Sequence, residues 1–132
     1  MSLQLQRDVS LRPYNSFAVE ACARWYAEAH SDDEVRQALA RAAERRLPLL
    51  MLGGGSNLLL TADVEALVLR MASRGIRVLE DDGERVLLEA EAGEPWHPFV
   101  QWTLQQGLVG LENLSLIPGT VGAAPMQNIG AY

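Results

Sequence analysis

The chain has 132 residues, of which 48% are hydrophobic and 21% are charged, and its formal net charge is −6. This composition is typical of an ordinary globular domain, and the excess of acidic residues argues against nucleic acid as a partner. All 11 basic residues are arginines. The absence of lysine excludes Schiff-base chemistry and a P-loop.

Cysteine and histidine are too sparse for a disulfide framework or a metal site. Cys22 is the only cysteine, which fits a reducing compartment, and neither His30 nor His97 has a second ligand at metal-binding spacing. The N-terminus lacks the apolar segment of a signal peptide, and no run of about 20 apolar residues is present for a membrane span. We therefore expect a cytoplasmic protein with no metal and no membrane partner.

The clearest predicted helix covers residues 32 to 46. Ser31 provides an N-cap hydroxyl, and Glu34 stands at the position that completes a capping box. Short strands are predicted at residues 24–29 before the helix and 49–52 after it. This order favours a parallel pair of strands joined by a right-handed crossover.

A β-hairpin follows a further predicted strand at residues 66–70. Its strands are predicted at residues 76–80 and 85–91. The Asp82-Gly83 pair between them is typical of a two-residue loop in a type I′ turn, which has positive φ at both central residues.

A second helix is predicted to begin near Pro95 and to end before Gly107. Its buried face is predicted to hold Phe99, Val100, Thr103 and Leu104. The whole pattern indicates a mixed α+β fold. We expect two small lobes, at about residues 1–72 and 73–132.

A glycine-rich loop directly after the strand at 49–52 is the first candidate ligand site. It consists of Gly53, Gly54, Gly55, Ser56 and Asn57. Glycines let backbone N–H groups approach a ligand closely, so the loop suits an anionic group such as a pyrophosphate. A tight turn between strands is an equally good interpretation of the glycines alone. The dinucleotide fingerprint is not matched, because Leu58 stands where its third glycine is required.

The second candidate is the nearly uncharged segment from Gly110 onward. Arg85 is the last basic residue, so backbone N–H groups and the Thr120 hydroxyl would have to hold any anion there. A structural loop is slightly favoured by the residues alone. Glu112, the only charged residue of this segment, could be a general base or a buried structural group, and we expect His97 to face solvent.

Three segments closely resemble the MurB family, the UDP-N-acetylenolpyruvoylglucosamine reductases. They are residues 12–19 (RPYNSFAV), 52–60 (LGGGSNLLL) and 92–132. The resemblance implies an α+β FAD-binding domain of the vanillyl-alcohol-oxidase (PCMH) type, incomplete in this chain and built from two small α+β lobes, that holds FAD non-covalently. It implies that residues 53–57 bind the FAD pyrophosphate. It also implies that the rest of the FAD site is lined by Ile117, Pro118, Gly119, Thr120, Gly122, Ala123, Ala124, Ile129 and Gly130.

The family's reaction reduces a UDP-sugar enolpyruvate to UDP-N-acetylmuramate with NADPH, in the synthesis of peptidoglycan precursors for the cell wall. The resemblance ends at residue 132, before the family's catalytic serine, arginine and glutamate. No catalytic residue is therefore assigned, and we expect the chain to be the N-terminal part of a longer protein and to be inactive by itself. Tyr132 is a candidate for contact with the flavin or the substrate.

Two alternatives remain open. The first is another FAD-dependent oxidoreductase of the same superfamily, for which a covalent flavin link at His97 or Cys22 would be diagnostic. The second is a non-catalytic module that binds a nucleotide or a partner.

Overall fold

The first part of the chain forms a four-stranded sheet with one helix. A computed structural model describes residues 2–131, which fall into two units, one ending at Ala72 and the other beginning at Ser73. The strand order of this sheet is β1-β2-β4-β3. Its elements are β1 (Gln6–Ser10), β2 (Cys22–Ala29), α1 (Asp32–Glu44), β3 (Leu49–Leu52) and β4 (Val64–Met71).

β4 is the centre of the parallel part of the sheet. It pairs in parallel with β2 on one side and with β3 on the other. β2 and β3 are parallel to each other, as predicted, but they do not form a neighbouring pair, because β4 lies between them. Four successive residues of β4, from Ala66 to Leu69, are buried. Such a continuous apolar run is typical of a strand that is covered on both faces.

Helix α1 begins where it was predicted to begin and ends two residues earlier. The predicted capping box is only half formed, because the Glu34 carboxylate accepts from the His30 N–H and not from Ser31. The Ser31 side chain accepts a hydrogen bond from the Glu34 N–H. At the other end the Leu47 N–H donates to the Ala42 carbonyl, and Arg46 has φ +53°. These are the features of a Schellman cap, which closes the helix before Pro48 is reached.

Each face of the sheet has its own apolar cluster. The cluster under α1 includes Leu67, Leu69, Ala38 and Ala42. The cluster on the opposite face includes Leu11, Tyr26, Leu52 and Val68. The chain before β2 therefore covers the face that α1 leaves open.

The second unit contains a two-stranded antiparallel sheet and one helix. Its elements are β5 (Ile76–Asp81), β6 (Val86–Ala90), α2 (Trp96–Gln105) and 3₁₀ turns at Glu112–Leu114 and Ile129–Ala131. The core of this unit consists of Trp96, Phe99, Val100 and Ala124. Leu104, which was predicted to be buried, is 45% exposed. The buried stripe instead begins one turn earlier, at Trp96.

The hairpin turn differs from the predicted type. The Asp82 N–H donates to the Arg85 carbonyl, so Gly83 and Glu84 are the central residues. Gly83 has φ +88°, and Glu84 is not in the positive-φ region. This pattern fits a type II′ turn and not type I′. The Asp82 carboxylate accepts from the N–H groups of Arg85 and Glu84, and these bonds lower its pKa.

No helix among residues 2–131 has the length and apolar character needed to cross a membrane.

Candidate functional site

The glycine-rich loop, residues 53–57, begins at the carboxyl end of the parallel strands. It directly follows Leu52, which pairs with Arg70 near the end of β4. Ligands of open parallel sheets bind at the carboxyl ends of the strands. The loop therefore has the position that such a site requires.

Gly55 fixes the loop against the preceding part of the chain. It is buried, has φ +68°, and a Cβ at this position would overlap the Tyr14 carbonyl oxygen. The Gly55 carbonyl accepts a hydrogen bond of 3.0 Å from the Ser16 N–H. Both the backbone angle and the close contact require glycine at this position.

Asn15 organises the segment against which Gly55 packs. This side chain is 7% exposed. Its Nδ2 donates to the carbonyls of Leu11 and Val19, and its Oδ1 accepts from the Val19 N–H. Asn15 stands out in the sequence only as part of the segment that resembles the family, since a buried amide cannot be recognised before its partners are known.

The backbone N–H groups of residues 53–57 are available as donors. Within the part of the chain that the structure describes, none of them donates to a backbone carbonyl. Ser56 is half-buried and Asn57 is exposed. Successive N–H groups with few side chains in the way suit an anion.

The arginine next to the loop is already engaged by an acidic partner. Arg70 Nη1 lies 3.1 Å from Glu28 Oε1, and its guanidinium lies 5.3 Å from the centre of the Tyr14 ring. The Tyr26 hydroxyl donates to the same Glu28 oxygen at 2.8 Å. Burial, helped by the hydrogen bonds to Glu28 and Tyr14, raises the pKa of Tyr26, so the hydroxyl remains a donor. Arg70 therefore has less charge to offer an anion at the loop than an unpaired arginine would.

In the second unit, the predicted ligand segment lies beside the residues that lead into α2. The Trp96 N–H donates to the Gly119 carbonyl, the Val121 N–H to Glu94, and the Gly122 N–H to Ala92. A Cβ on Gly122 would lie 2.7 Å from the Ala92 Cβ. Gly122 is therefore required by close packing within the protein.

These contacts correct one expectation about how the second segment would hold an anion. The N–H groups of Gly122, Ala123 and Ala124 all donate to backbone carbonyls of the protein. They are not available to an anionic ligand. Thr120 differs. It lies opposite Pro95 in an antiparallel bridge whose hydrogen bonds are made by the residues on either side, so the Thr120 N–H points away from the Pro95 segment.

The other predicted residues of this segment differ in exposure. Ala124 is buried, and Ile117 and Ile129 pack against the core of the second unit. The exposed members are Pro118, Gly122 and Gly130, and the half-buried ones are Ile117, Gly119, Thr120, Ala123 and Ile129. Tyr132 lies outside the described residues.

Two side chains behave differently from expectation. His97 is half-buried and its Nδ1 accepts a hydrogen bond from the Leu116 N–H, so it does not simply face solvent. Glu112 is exposed, so it is not the buried structural group that was one of its two predicted roles. Its carboxylate accepts a hydrogen bond from the Gly110 N–H, and such backbone hydrogen bonds lower the pKa of Glu112. A lowered pKa makes Glu112 a weaker base.

Two cavities lie away from the predicted ligand residues. One, of about 520 Å³ in the first unit, is lined by Arg24, Trp25, Arg45, Arg46, Leu47, Pro48 and Glu65. The other, of about 860 Å³ in the second unit, lies between the hairpin and the loop that follows α2. Neither set of lining residues includes the glycine-rich loop or residues 117–130. The assignment of the candidate site therefore rests on its backbone donors.

A mostly parallel sheet with an amide-rich loop at its carboxyl edge suits a bound nucleotide. A profile of the FAD binding domain family matches residues 23–132, and the chain belongs to this family. FAD is the cofactor of the family. The predicted α+β FAD-binding fold is confirmed.

The more specific resemblance is confirmed by individual relatives. UDP-N-acetylenolpyruvoylglucosamine reductase of Pseudomonas fluorescens is 76% identical over all 132 residues, which cover 39% of that protein. The crystal structure of the MurB enzyme of Thermus caldophilus matches with a TM-score of 0.67 and 30% identity, over 92% of this chain and 41% of that one. Aclacinomycin oxidoreductase has a TM-score of 0.60 over 83% of this chain and 23% of that one, but at 18% identity it shows only the fold. The chain thus spans about two fifths of the length of its curated relatives.

Proposed function

We propose that this chain provides the pyrophosphate-binding part of the FAD site in a reductase of UDP-N-acetylglucosamine enolpyruvate. The observation that carries this proposal is the run of available N–H groups at Gly53, Gly54, Gly55, Ser56 and Asn57. The contact of Gly55 with Tyr14 holds these groups in place before any ligand arrives. A site formed in advance loses less entropy on binding.

The donor set fits the chemistry of a pyrophosphate. The two phosphates of FAD carry two negative charges, and hydrogen bonds to charged groups contribute about 1.5–3 kcal/mol each. The first unit supplies such donors without a free lysine, since the chain has none, and without the Arg70 charge, which is paired with Glu28. The attraction comes from amide dipoles.

Residues of the second unit would contact other parts of the FAD molecule. Thr120 offers a hydroxyl and an outward-pointing N–H. The N–H groups of Ile117, Gly119 and Gly130 also donate to no backbone carbonyl within residues 2–131. The remaining predicted residues would make contact through carbon atoms or carbonyl groups, namely Pro118, Gly122, Ala123, Ala124 and Ile129. Bound FAD would supply the hydride-transfer chemistry, and these residues would orient it.

The activity of the whole protein is inferred from the names of its relatives. We infer that it uses NADPH to form UDP-N-acetylmuramate, a peptidoglycan precursor, and that it acts in the cytoplasm. This role would place it in cell-wall biogenesis and so link it to cell shape and division. No residue of the chain is assigned to catalysis. The chain alone is therefore expected to bind FAD without turning over.

Titration of the purified chain with FAD tests this proposal. We expect flavin fluorescence to change on binding, FAD to be released by denaturation, and no NADPH oxidation in the presence of the UDP-sugar enolpyruvate. Turnover by the 132 residues would contradict the assignment of catalysis to other parts of the protein. A flavin retained after denaturation would favour another oxidoreductase of the superfamily, and a lack of any FAD binding would favour a non-catalytic module.

A further inference from the structure

The first two residues of α2 hold the segment that leads into the proposed FAD contacts. Trp96 Nε1 donates to the Leu114 carbonyl at 2.8 Å, and the Trp96 N–H donates to the Gly119 carbonyl at 2.9 Å. Between these two points, the Leu116 N–H donates to His97 Nδ1 at 3.0 Å. Two consecutive residues thus fix three positions within a stretch of six.

Leu116 is the position that most needs such a restraint. Its φ is +66°, a left-handed conformation that is unfavourable for a residue with a Cβ. Its side chain is 77% exposed, so packing does little to hold the backbone there. The hydrogen bond to His97 is the contact that restrains this residue, and it does so directly before Ile117.

The bond also selects one tautomer of the neutral imidazole. A nitrogen that accepts a hydrogen bond carries no proton, so the neutral ring must have its proton on Nε2. Trp96 is 7% exposed and packs edge-on against Phe99, with ring centres 5.7 Å apart. Trp96 and His97 are therefore anchored in the core through the Trp96 ring and are hydrogen-bonded to the segment at residues 114–119.

We propose that Trp96 and His97 are positioning residues that hold the backbone of residues 117–120 in the form that contacts FAD, with His97 acting through its unprotonated Nδ1. The proposal rests on the proposed function in assuming that this segment contacts FAD. Neither side chain need touch the reacting atoms. Their contribution is to set the geometry of the segment before the cofactor binds.

A matched pair of substitutions at His97 tests the role of Nδ1. His97→Asn keeps an acceptor near the Nδ1 position, whereas His97→Gln places its amide near Nε2. We expect His97→Gln to speed hydrogen exchange of the Leu116 amide about tenfold and to weaken FAD binding about fivefold, the size expected from losing one hydrogen bond. His97→Asn should stay within about twofold of the unsubstituted chain in both measurements.

Trp96→Phe provides a second variant that removes the indole N–H and keeps an aromatic ring in the core. It should also weaken FAD binding. Faster exchange of the Leu116 amide in His97→Gln with unchanged FAD affinity would overturn the positioning role. A large loss of FAD affinity in His97→Asn would overturn it as well. An unsubstituted chain that binds no FAD, while its Leu116 amide still depends on His97, would overturn the proposed function instead.

Discussion

Replacing Gly55 with alanine is expected to lower the free energy of unfolding of the first unit by about 3 kcal/mol and to abolish FAD binding. Two effects combine at this position. The new Cβ would overlap the Tyr14 carbonyl oxygen, and φ +68° is unfavourable for any residue with a side chain. The backbone cannot move away without losing the hydrogen bond from Ser16. Urea unfolding followed by the amide signals of residues 2–72 measures the change.

Gly107→Ala is the matched control for this substitution. Gly107 has φ +75°, close to that of Gly55, but no atom lies within 4 Å of its Cβ position. Its replacement should cost only about 1–2 kcal/mol, from the backbone angle alone. Equal losses in the two variants would show that the contact with Tyr14 has no energetic weight, and retention of FAD by Gly55→Ala would contradict the role of the loop.

Replacing Asn15 with alanine is expected to cost about 2–3 kcal/mol, because it leaves buried backbone groups without partners. Asn15 bonds to the carbonyls of Leu11 and Val19 and to the Val19 N–H. These groups lie in the segment that supports Gly55, so FAD binding should weaken as well. The same unfolding measurement and an FAD titration report the two effects.

Asn113→Ala serves as the control for Asn15. Asn113 is exposed, and its replacement should change stability by no more than about 0.5 kcal/mol. If Asn15→Ala changed the free energy of unfolding no more than Asn113→Ala does, the loop at residues 53–57 could not depend on residues 11–19. If it lost stability but bound FAD with full affinity, the structural link between this segment and residues 53–57 would be wrong.

Features of the fold that depend on neighbouring residues were predictable from the sequence. The N-cap of α1 was predicted because Ser31 and the acidic residues at positions 32–34 lie within one turn of the helix. The order of the sheet was not, because it depends on which strands β4 contacts. The hairpin was predicted between the correct strands, but its two-residue loop is Gly83-Glu84 and not Asp82-Gly83, because Asp82 pairs with Arg85.

The sequence predicted where the candidate site lies but not the contacts that hold its residues in place. The glycines after β3 indicated an anion-binding loop, but the special need for Gly55 arises from Tyr14, about 40 residues earlier in the chain. The amides of Gly122 and Ala123 looked available in the sequence. Only the structure shows that they donate to Ala92 and Thr120. The resemblance to a family, and not the spacing of residues, indicated FAD in particular.

The most direct measurement of the central claim is an NMR titration of the chain with FAD that records backbone amide and arginine side-chain signals together. If amide dipoles bind the pyrophosphate, the N–H signals of residues 53–57 should shift strongly, as hydrogen bonds to phosphate oxygens form, while the guanidinium signal of Arg70 should remain nearly unchanged. Strong shifts confined to arginine side chains, with the amides of residues 53–57 unmoved, would contradict the account.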